Sequence, residues 1–319
     1  MGTVRLEYTM TENNKTSLFA DYEKVEDALT EYLVAATKGN AEAQYKLANC
    51  YEDGLGGLEE NQDEAFRWYV KSAHQGYPEA LCTLAVYYSN GDIVEKDEQK
   101  AMELYIEAAE RGCIDAYYYL AIYYKTGTIV DEDYDKAFHY AILAAEANDA
   151  EAQGLLGTYY QNGIGTEINY AKAMCWYQKA VDNGAVYYLT SIGWLYEKGL
   201  GVEADRQKAF DYYKEAAEQG EVSGFFDLGM WYFWGDDSNE DSDNYLNDWK
   251  EAFKYYKLAA ELAIEKEEYE HTAVFTSLAE MYELGWGTDK DISKAIEWYT
   301  IAANQGCETA IEKMEKLNS

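Results

Sequence analysis

The 319-residue sequence contains one proline, five cysteines and three histidines, and its 26 basic residues face 60 acidic ones. Because proline interrupts helix interiors, a single proline favours long helical stretches. The cysteine count is odd and no C-x-x-C occurs, which argues against a disulfide framework and favours a reducing compartment. The net charge of −34 repels phosphate and anionic lipid, so we expect neither nucleic acid nor a membrane as the partner.

Long apolar runs are also lacking. Residues 1–18 contain no apolar signal-peptide region, and Leu6 stands where a myristoylation signal requires Ser or Thr. No apolar run approaches the length of a membrane span. We therefore expect a cytoplasmic protein in which residues 1–18 form a loose N-terminal extension.

Internal repetition is the dominant feature of the chain. Seven alanines follow Lys or Glu, and the six spacings between them are four of 36 residues followed by two of 43. They are Ala65, Ala101, Ala137, Ala173, Ala209, Ala252 and Ala295. Upstream of each alanine, a small residue follows Leu or Ile. A Tyr stands three residues after this small residue, and a Gly stands three residues after the Tyr. Seven such registrations indicate seven copies of one structural unit.

Each unit is predicted to form two helices, A and B. In repeat 5, Ile192, Leu195 and Tyr196 fall on one helical face of helix A, and Gly199 supplies its left-handed end. The apolar stripe of helix B is formed by Ala209, Phe210, Tyr213, Ala216 and Ala217. A single hairpin cannot bury both of its faces, so neighbouring units must stack.

This pattern resembles the Sel1-like repeat family, relatives of the tetratricopeptide repeat. Repeat 4 carries the family signature nearly throughout, as AQGLLGTYYQNGIG followed by KAMCWYQKAVDNG. The resemblance covers residues 41–307 and implies an all-α fold, a right-handed α-solenoid of about seven helix-turn-helix repeats. We expect a capping helix in residues 19–40, another in residues 308–319, and an insertion in repeat 6 at residues 236–248.

The chemical motifs of enzymes are missing. G-x-G occurs only between predicted helices, and neither a Walker lysine motif nor H-E-x-x-H is present. We therefore predict a protein that is not an enzyme, with no cofactor and no catalytic residue. Cys50, Cys82 and Cys175 are expected to be small core residues, whereas Cys113 and Cys307 follow helix-ending glycines and are expected to be partly exposed.

One loop leaves calcium open as a ligand. Asp237, Asn239, Asp241 and Asp248 stand at positions 1, 3, 5 and 12 of a D-x-N-x-D loop, a spacing that resembles calcium loops. Ser242 replaces the usual Gly at position 6. The alternative is a solvated acidic loop in which Asp248 caps the next helix.

The candidate binding surface lies on helix A, which lines the concave surface in the related tetratricopeptide fold. Two positions of helix A, four residues apart and therefore on one face, vary between the repeats. Their large apolar members concentrate in repeats 5 and 6. The predicted contacts are Trp194, Phe226, Met230, Phe233 and Trp234, extended by Tyr118 and Ile122. The alternative is that the wider repeat 6 hairpin covers these aromatics and makes them core.

Two functions from different classes follow. The first is an adaptor that binds a protein or peptide segment in a concave, aromatic groove rimmed by acids, which favours ligands with flanking Lys or Arg. The second is an acidic mimic or sequestering factor that occupies a basic partner, such as a nucleic-acid-binding protein. Salt dependence separates the two, because a partner held by surface charge is lost as salt rises.

Overall fold

A computed structural model describes residues 22–235 and 248–317, and every helix and strand assignment within these ranges is helical. The described chain divides into two compact units, one ending at Asn169 and the other beginning at Tyr170. The prediction of an all-α fold is therefore confirmed. None of the described helices is long and apolar enough to span a membrane.

The first unit contains eight helices among the described residues. They are α1 Tyr22–Thr37, α2 Ala41–Glu52, α3 Gln62–Ala73, α4 Pro78–Asn90, α5 Glu98–Glu110, α6 Ile114–Thr126, α7 Tyr134–Glu146 and α8 Ala150–Asn162. Here α1 precedes the repeats, α2 and α3 are helices A and B of repeat 1, and the alternation continues to α8, helix A of repeat 4.

The second unit contains a further eight α-helices in its described part. They are α9 Tyr170–Asp182, α10 Leu189–Lys198, α11 Arg206–Glu218, α12 Val222–Trp234, α13 Trp249–Glu265, α14 Thr272–Leu284, α15 Ile292–Asn304 and α16 Glu308–Leu317. Helix A of repeat 5 begins with a 3₁₀ turn, Val186–Tyr188, before α10. The last helix, α16, follows repeat 7.

Local sequence signals define the ends of these helices. An aspartate caps the start of five B helices, and its side chain accepts a hydrogen bond from the backbone amide three residues later. These caps are Asp97, Asp133, Asp205, Asp248 and Asp291. At the other end of helix A, Gly199 adopts φ +64°, a left-handed conformation that lets the chain turn into helix B without the strain that a side chain would add.

The repeat-aligned Leu or Ile of helix A is buried in all seven repeats. Beside it, the small residue allows close approach of helix B. In repeat 5, a Cβ atom built on Gly193 would lie 2.6 Å from Cε1 of Tyr213, and in repeat 6 one built on Gly229 would lie 2.5 Å from Cδ1 of Tyr256. Helix pairs in these two repeats therefore pack at a separation that only glycine permits. The handedness of the superhelix stays a prediction.

Candidate partner-binding surfaces

Helix A presents one accessible side chain at the same position of every repeat. This position directly follows the small residue, and none of its seven occupants is buried. They are Asn49, Val86, Ile122, Thr158, Trp194, Met230 and Glu280. Four residues earlier, only Cys82 and Gly154 are buried. Helix A therefore carries a row of side chains that reach solvent.

In repeats 5 and 6, large apolar side chains occupy three of these positions and two further positions of helix A. We call these five residues the aromatic face: Trp194, Phe226, Met230, Phe233 and Trp234. Met230 is 38% exposed and Trp234 is 59% exposed, while the other three are half-buried. On α12, Phe226, Met230 and Phe233 are spaced i, i+4 and i+7, so they share one side of the helix.

The half-buried rings of the aromatic face also contact the helices behind it. The Phe226 ring lies 5.5 Å from that of Tyr256, and the Phe233 ring lies 5.4 Å from that of Trp286, measured between centroids. Phe233 also packs edge-on against Trp234, at 5.1 Å. Each ring is thus fixed by packing on one side and retains solvent access on the other.

An acidic pair adjoins the aromatic face. Glu197 follows Trp194 by one helical turn, and its carboxylate accepts a hydrogen bond of 2.9 Å from the Tyr213 hydroxyl. Asp227, next to Phe226 on α12, faces the same carboxylate. Burial, and secondarily the charge of Glu197, raise the pKa of Asp227 to about 7. Two acids therefore share a site in which one carries a proton near neutral pH.

The equivalent position in repeat 7 is completed by a cation. Glu283, 86 residues after Glu197, accepts a 2.7 Å hydrogen bond from Tyr299 and forms a 3.0 Å ion pair with Lys313 of α16. The same Lys313 lies 3.4 Å from Glu280. Lys313 follows Asp227 by the same 86 residues that separate Glu283 from Glu197, so the two positions are equivalent. One repeat junction therefore has a lysine where the other has an aspartate.

The first unit holds a second surface, which we call the repeat 1–3 groove. It encloses about 900 Å³ and is lined by tyrosines and acids, with no Lys, Arg or His among its lining residues. Glu52 is one of its lining residues and accepts hydrogen bonds from the hydroxyls of Tyr69 and Tyr87, the latter at 2.7 Å. Glu79, Cys82 and Asp115 line the same groove.

A model of the family described as Sel1 repeat matches seven consecutive segments of the chain. They are residues 41–77, 78–113, 114–149, 150–184, 187–221, 226–263 and 276–307. The chain belongs to the Sel1 repeat family. Sel1 repeat proteins generally act in protein–protein interaction.

Two solved Sel1 repeat structures resemble the chain over nearly its full length. A protective antigen of uropathogenic Escherichia coli displaying an SLR fold is 27% identical, with a TM-score of 0.64, and the alignment covers 91% of this chain and 59% of the antigen. A Sel1 repeat protein from Oxalobacter formigenes is 25% identical, with a TM-score of 0.63, and the alignment covers 93% of this chain and 82% of that one. Both support the α-solenoid assignment.

Two curated proteins share shorter segments. The ERAD-associated E3 ubiquitin-protein ligase component HRD3A of Arabidopsis thaliana is 32% identical over 81 residues, 25% of this chain and 12% of that protein. An exopolysaccharide production negative regulator of Rhizobium leguminosarum bv. viciae is 37% identical over 76 residues, 21% of this chain and 28% of the regulator. The similarity thus spans a small part of each curated relative.

The remaining predicted contacts of the Sel1 repeats lie in the other compact unit. Tyr118 and Ile122 are both half-buried on α6, and the Tyr118 ring packs edge-on against Tyr119 at 5.6 Å. Burial raises the pKa of Tyr118 to about 12, with nearby Glu151 and Asp149 adding to the effect. Their neighbour Tyr119 lines the repeat 1–3 groove, whereas the aromatic face belongs to the second unit.

Two cysteine predictions are wrong. Cys113 is buried, 4% exposed, because it packs under the start of α6 rather than projecting from the turn. Cys175 is exposed, because the buried stripe of α9 runs through Ala173, Tyr177 and Ala180 and leaves Cys175 on the opposite side. Cys50 and Cys82 are buried and Cys307 is partly exposed, as expected.

Three residues of the possible calcium loop, Asp237, Asn239 and Asp241, lie outside the described residues. The fourth, Asp248, caps α13 and accepts hydrogen bonds from the amides of Lys250 and Glu251, at 3.2 and 3.0 Å. Ser242 also lies outside the described ranges. The capping role of Asp248 accounts for that aspartate without a metal.

The sequence did not single out the Glu197–Asp227 pair or the groove around Glu52. Both depend on contacts between helices of neighbouring repeats, which the spacing within one repeat does not reveal. An alignment of the helix that contains Asp227 with the last helix of the chain would have revealed the acidic pair, since Asp227 and Lys313 then fall at the same position. For the groove, the available signal was Tyr45 and Asn49, both of which line it.

Proposed function

We propose that this Sel1 repeat protein is a non-enzymatic adaptor that binds a segment of another protein on the aromatic face. The preferred ligand carries a Lys or Arg next to a large apolar side chain. The observation that carries this proposal is the difference between two equivalent junctions: Lys313 pairs with Glu283, whereas Asp227 stands beside Glu197.

The acidic pair supplies the charge recognition. A partner's ammonium or guanidinium group placed between Glu197 and Asp227 would reproduce the arrangement that Lys313 makes with Glu283. The cation would also favour release of the Asp227 proton, because an opposite charge stabilises the carboxylate. Charged hydrogen bonds of this kind give specificity and speed association.

The apolar side chains supply the anchoring area. Trp194 lies one turn before Glu197 and Met230 lies one turn beyond Asp227, so a bound segment would meet both within a few residues. Met230 is exposed and unbranched, which suits it to ligands of different shape. Large aromatic residues at the centre of an interface commonly contribute most of its binding energy.

The relatives are compatible with this role. One is described as a component of an E3 ubiquitin ligase and the other as a negative regulator, and both descriptions fit proteins that work through other proteins. The cytoplasmic location stays a prediction.

Selection of phage-displayed random peptides on the full-length chain tests the proposal. We expect enriched peptides to share Lys or Arg within a few residues of an aromatic or aliphatic side chain. In fluorescence polarisation, Trp194→Ala and Asp227→Lys should each weaken such a peptide at least tenfold. Ile168→Ala removes a side chain that is 57% exposed in the other unit and serves as the matched control.

The salt dependence of the same peptides decides between the two function classes. Binding to the aromatic face should persist at 0.15 M salt and depend on Trp194. Affinity that collapses across the range where the Debye length falls to ~10 Å, and is indifferent to Trp194→Ala, would instead identify an acidic mimic. Enrichment of peptides without any Lys or Arg would contradict the proposed role of Glu197 and Asp227.

A further inference from the structure

Two buried cysteines meet where repeat 2 joins repeat 3. Cys82 lies on α4, and Cys113 is the residue that precedes α6. They are 5% and 4% exposed, and their thiols lie within side-chain hydrogen-bonding range of each other. The contact joins residues that are 31 positions apart in the sequence.

The preceding repeat shows the same contact with other residues. Tyr45 stands at the position of Cys82, two residues before the buried Leu, and Tyr77 precedes α4 as Cys113 precedes α6. The rings of Tyr45 and Tyr77 are packed with centroids 5.3 Å apart. The juxtaposition of Cys82 and Cys113 is therefore a property of the repeat geometry.

The surroundings of the two thiols differ. Hydrogen bonding from Cys82 and, opposing burial, a backbone hydrogen bond from Ala116 in the first turn of α6 lower the pKa of Cys113. The same contact with Cys113, together with burial, raises the pKa of Cys82. Asp115 and Glu79 face both thiols and oppose their ionisation. Of the two thiols, Cys113 is thus the one that ionises more readily, with Cys82 as its hydrogen-bonding partner.

The pair borders the repeat 1–3 groove, because Cys82 is one of its lining residues. A shared metal ion is a poorer fit than thiol chemistry. Within the described ranges, no three His, Cys, Asp or Glu side chains are placed to hold one ion.

We propose that Cys82 and Cys113 are a redox-active dithiol that forms an intramolecular disulfide on reaction with a peroxide. The Cys113 thiolate attacks the O–O bond of hydrogen peroxide, giving a sulfenic acid and, after protonation of the departing hydroxide, one water. The Cys82 sulfur then displaces the sulfenic oxygen, which leaves as a second water while the S–S bond forms. Two thiols lose two electrons and two protons in all, and a dithiol reductant reverses the reaction.

The bond would tie α4 to the start of α6 and fix one wall of the repeat 1–3 groove. It would also close a loop in the unfolded chain, so the oxidised protein should have the higher melting temperature. The proposal does not depend on the adaptor function of the aromatic face, which belongs to the other unit.

The full-length protein provides the test. It is treated with hydrogen peroxide, denatured and alkylated with iodoacetamide, and then analysed by intact mass and peptide mapping. We expect loss of two of the five alkylatable thiols, a mass lower by two hydrogens before alkylation, and one linked peptide pair containing Cys82 and Cys113. Dithiothreitol should restore all five.

An internal control is Cys307, which precedes α16 as Cys113 precedes α6 and has Thr276 at the position of Cys82. It should form no intramolecular bond. Cys82→Ser should leave Cys113 as a sulfenic acid that dimedone traps, and Cys50→Ser, at a buried thiol elsewhere, should change nothing. Oxidation confined to exposed Cys175, or a wild-type Cys113 that reaches sulfinic acid without linking to Cys82, would overturn the proposal.

Discussion

The ring of Tyr213 packs against the α-carbon of Gly193, leaving no room for a side chain: an added Cβ atom would lie 2.6 Å from Cε1 of the ring. This contact holds helices A and B of repeat 5 together. We expect Gly193→Leu to force the helices apart and to lower the free energy of unfolding by about 3 kcal/mol, the upper end of the usual overpacking cost.

Thermal and urea unfolding of Gly193→Leu check this expectation. Gly229→Leu should behave alike, because its Cβ would meet Tyr256 in the same way. Gly157→Leu tests the same position in repeat 4. Gly220→Ala is a useful comparison, since its Cβ meets nothing within 4 Å and only the φ of +82° opposes it. Wild-type stability in Gly193→Leu and Gly157→Leu would mean that the helix contact is misplaced.

Asp227 should make stability fall as pH rises toward neutrality. Burial, followed by the Glu197 charge, raises its pKa in the folded protein from 3.8 to about 7. Between these values the folded state binds more protons than the unfolded state, so stability is greatest below pH 4 and is lost as pH rises through 7. Asp227→Asn should therefore be more stable than wild type at pH 8, by roughly 2 kcal/mol given partial solvent access.

Melting temperatures measured from pH 4 to pH 8 test this effect. The difference between Asp227→Asn and wild type should be small at pH 4 and grow as the pH rises. Glu203→Gln, at an exposed carboxylate of the same unit, is the control and should change the melting temperature by the same amount at pH 4 and at pH 8. A constant difference across the range for Asp227→Asn would show that Asp227 titrates as an ordinary carboxylate.

Lys313 should stabilise the end of the solenoid through Glu283. Burial raises the pKa of Glu283, but the Tyr299 hydroxyl and the Lys313 ammonium outweigh it and lower the pKa below 4.5 overall. The contribution of these two contacts to the free energy of unfolding is thus present above pH 4.5. It is lost as the pH falls through the pKa that Glu283 has in the folded protein. Lys313→Met should cost about 1 kcal/mol at pH 7, and the cost should disappear in acid.

The control for Lys313 is Lys316→Met on the same helix, where the side chain is 75% exposed. It should leave the melting temperature near that of wild type at every pH. Equal losses for both variants would assign the effect to the overall charge of α16 rather than to the contact with Glu283.

Asp248 should act as a helix cap whether or not calcium is present. Removing a capping aspartate costs about 1 kcal/mol, because the amides of Lys250 and Glu251 lose their acceptor. We expect Asp248→Ala to lower the melting temperature equally in EDTA and in millimolar calcium, and calorimetric titration of wild type with calcium to give no heat. A calcium-dependent rise in melting temperature that Asp248→Ala abolishes would restore the metal-site hypothesis.

The repeat pattern predicted the helical fold because its signals act locally. The buried Leu, the small residue beside it and Gly199 each specify a contact or a turn within one hairpin. The side of the helix that faces solvent is harder to read, as Cys175 shows, since it depends on where the neighbouring repeat packs. Contacts such as Asp227 with Glu197 join residues of successive A helices, so they follow from the offset between repeats and not from spacing alone.

The phenol groups of Tyr69, Tyr213 and Tyr299 each donate a hydrogen bond to a carboxylate of helix A in their own repeat. Burial and the nearby carboxylate raise the pKa of all three well above that of a free phenol. Opening of a hairpin should therefore make its tyrosine easier to ionise. In an alkaline titration followed by ultraviolet absorbance, the late part of the phenolate rise should therefore coincide with the opening of hairpins, so tyrosine ionisation and unfolding are coupled in this solenoid.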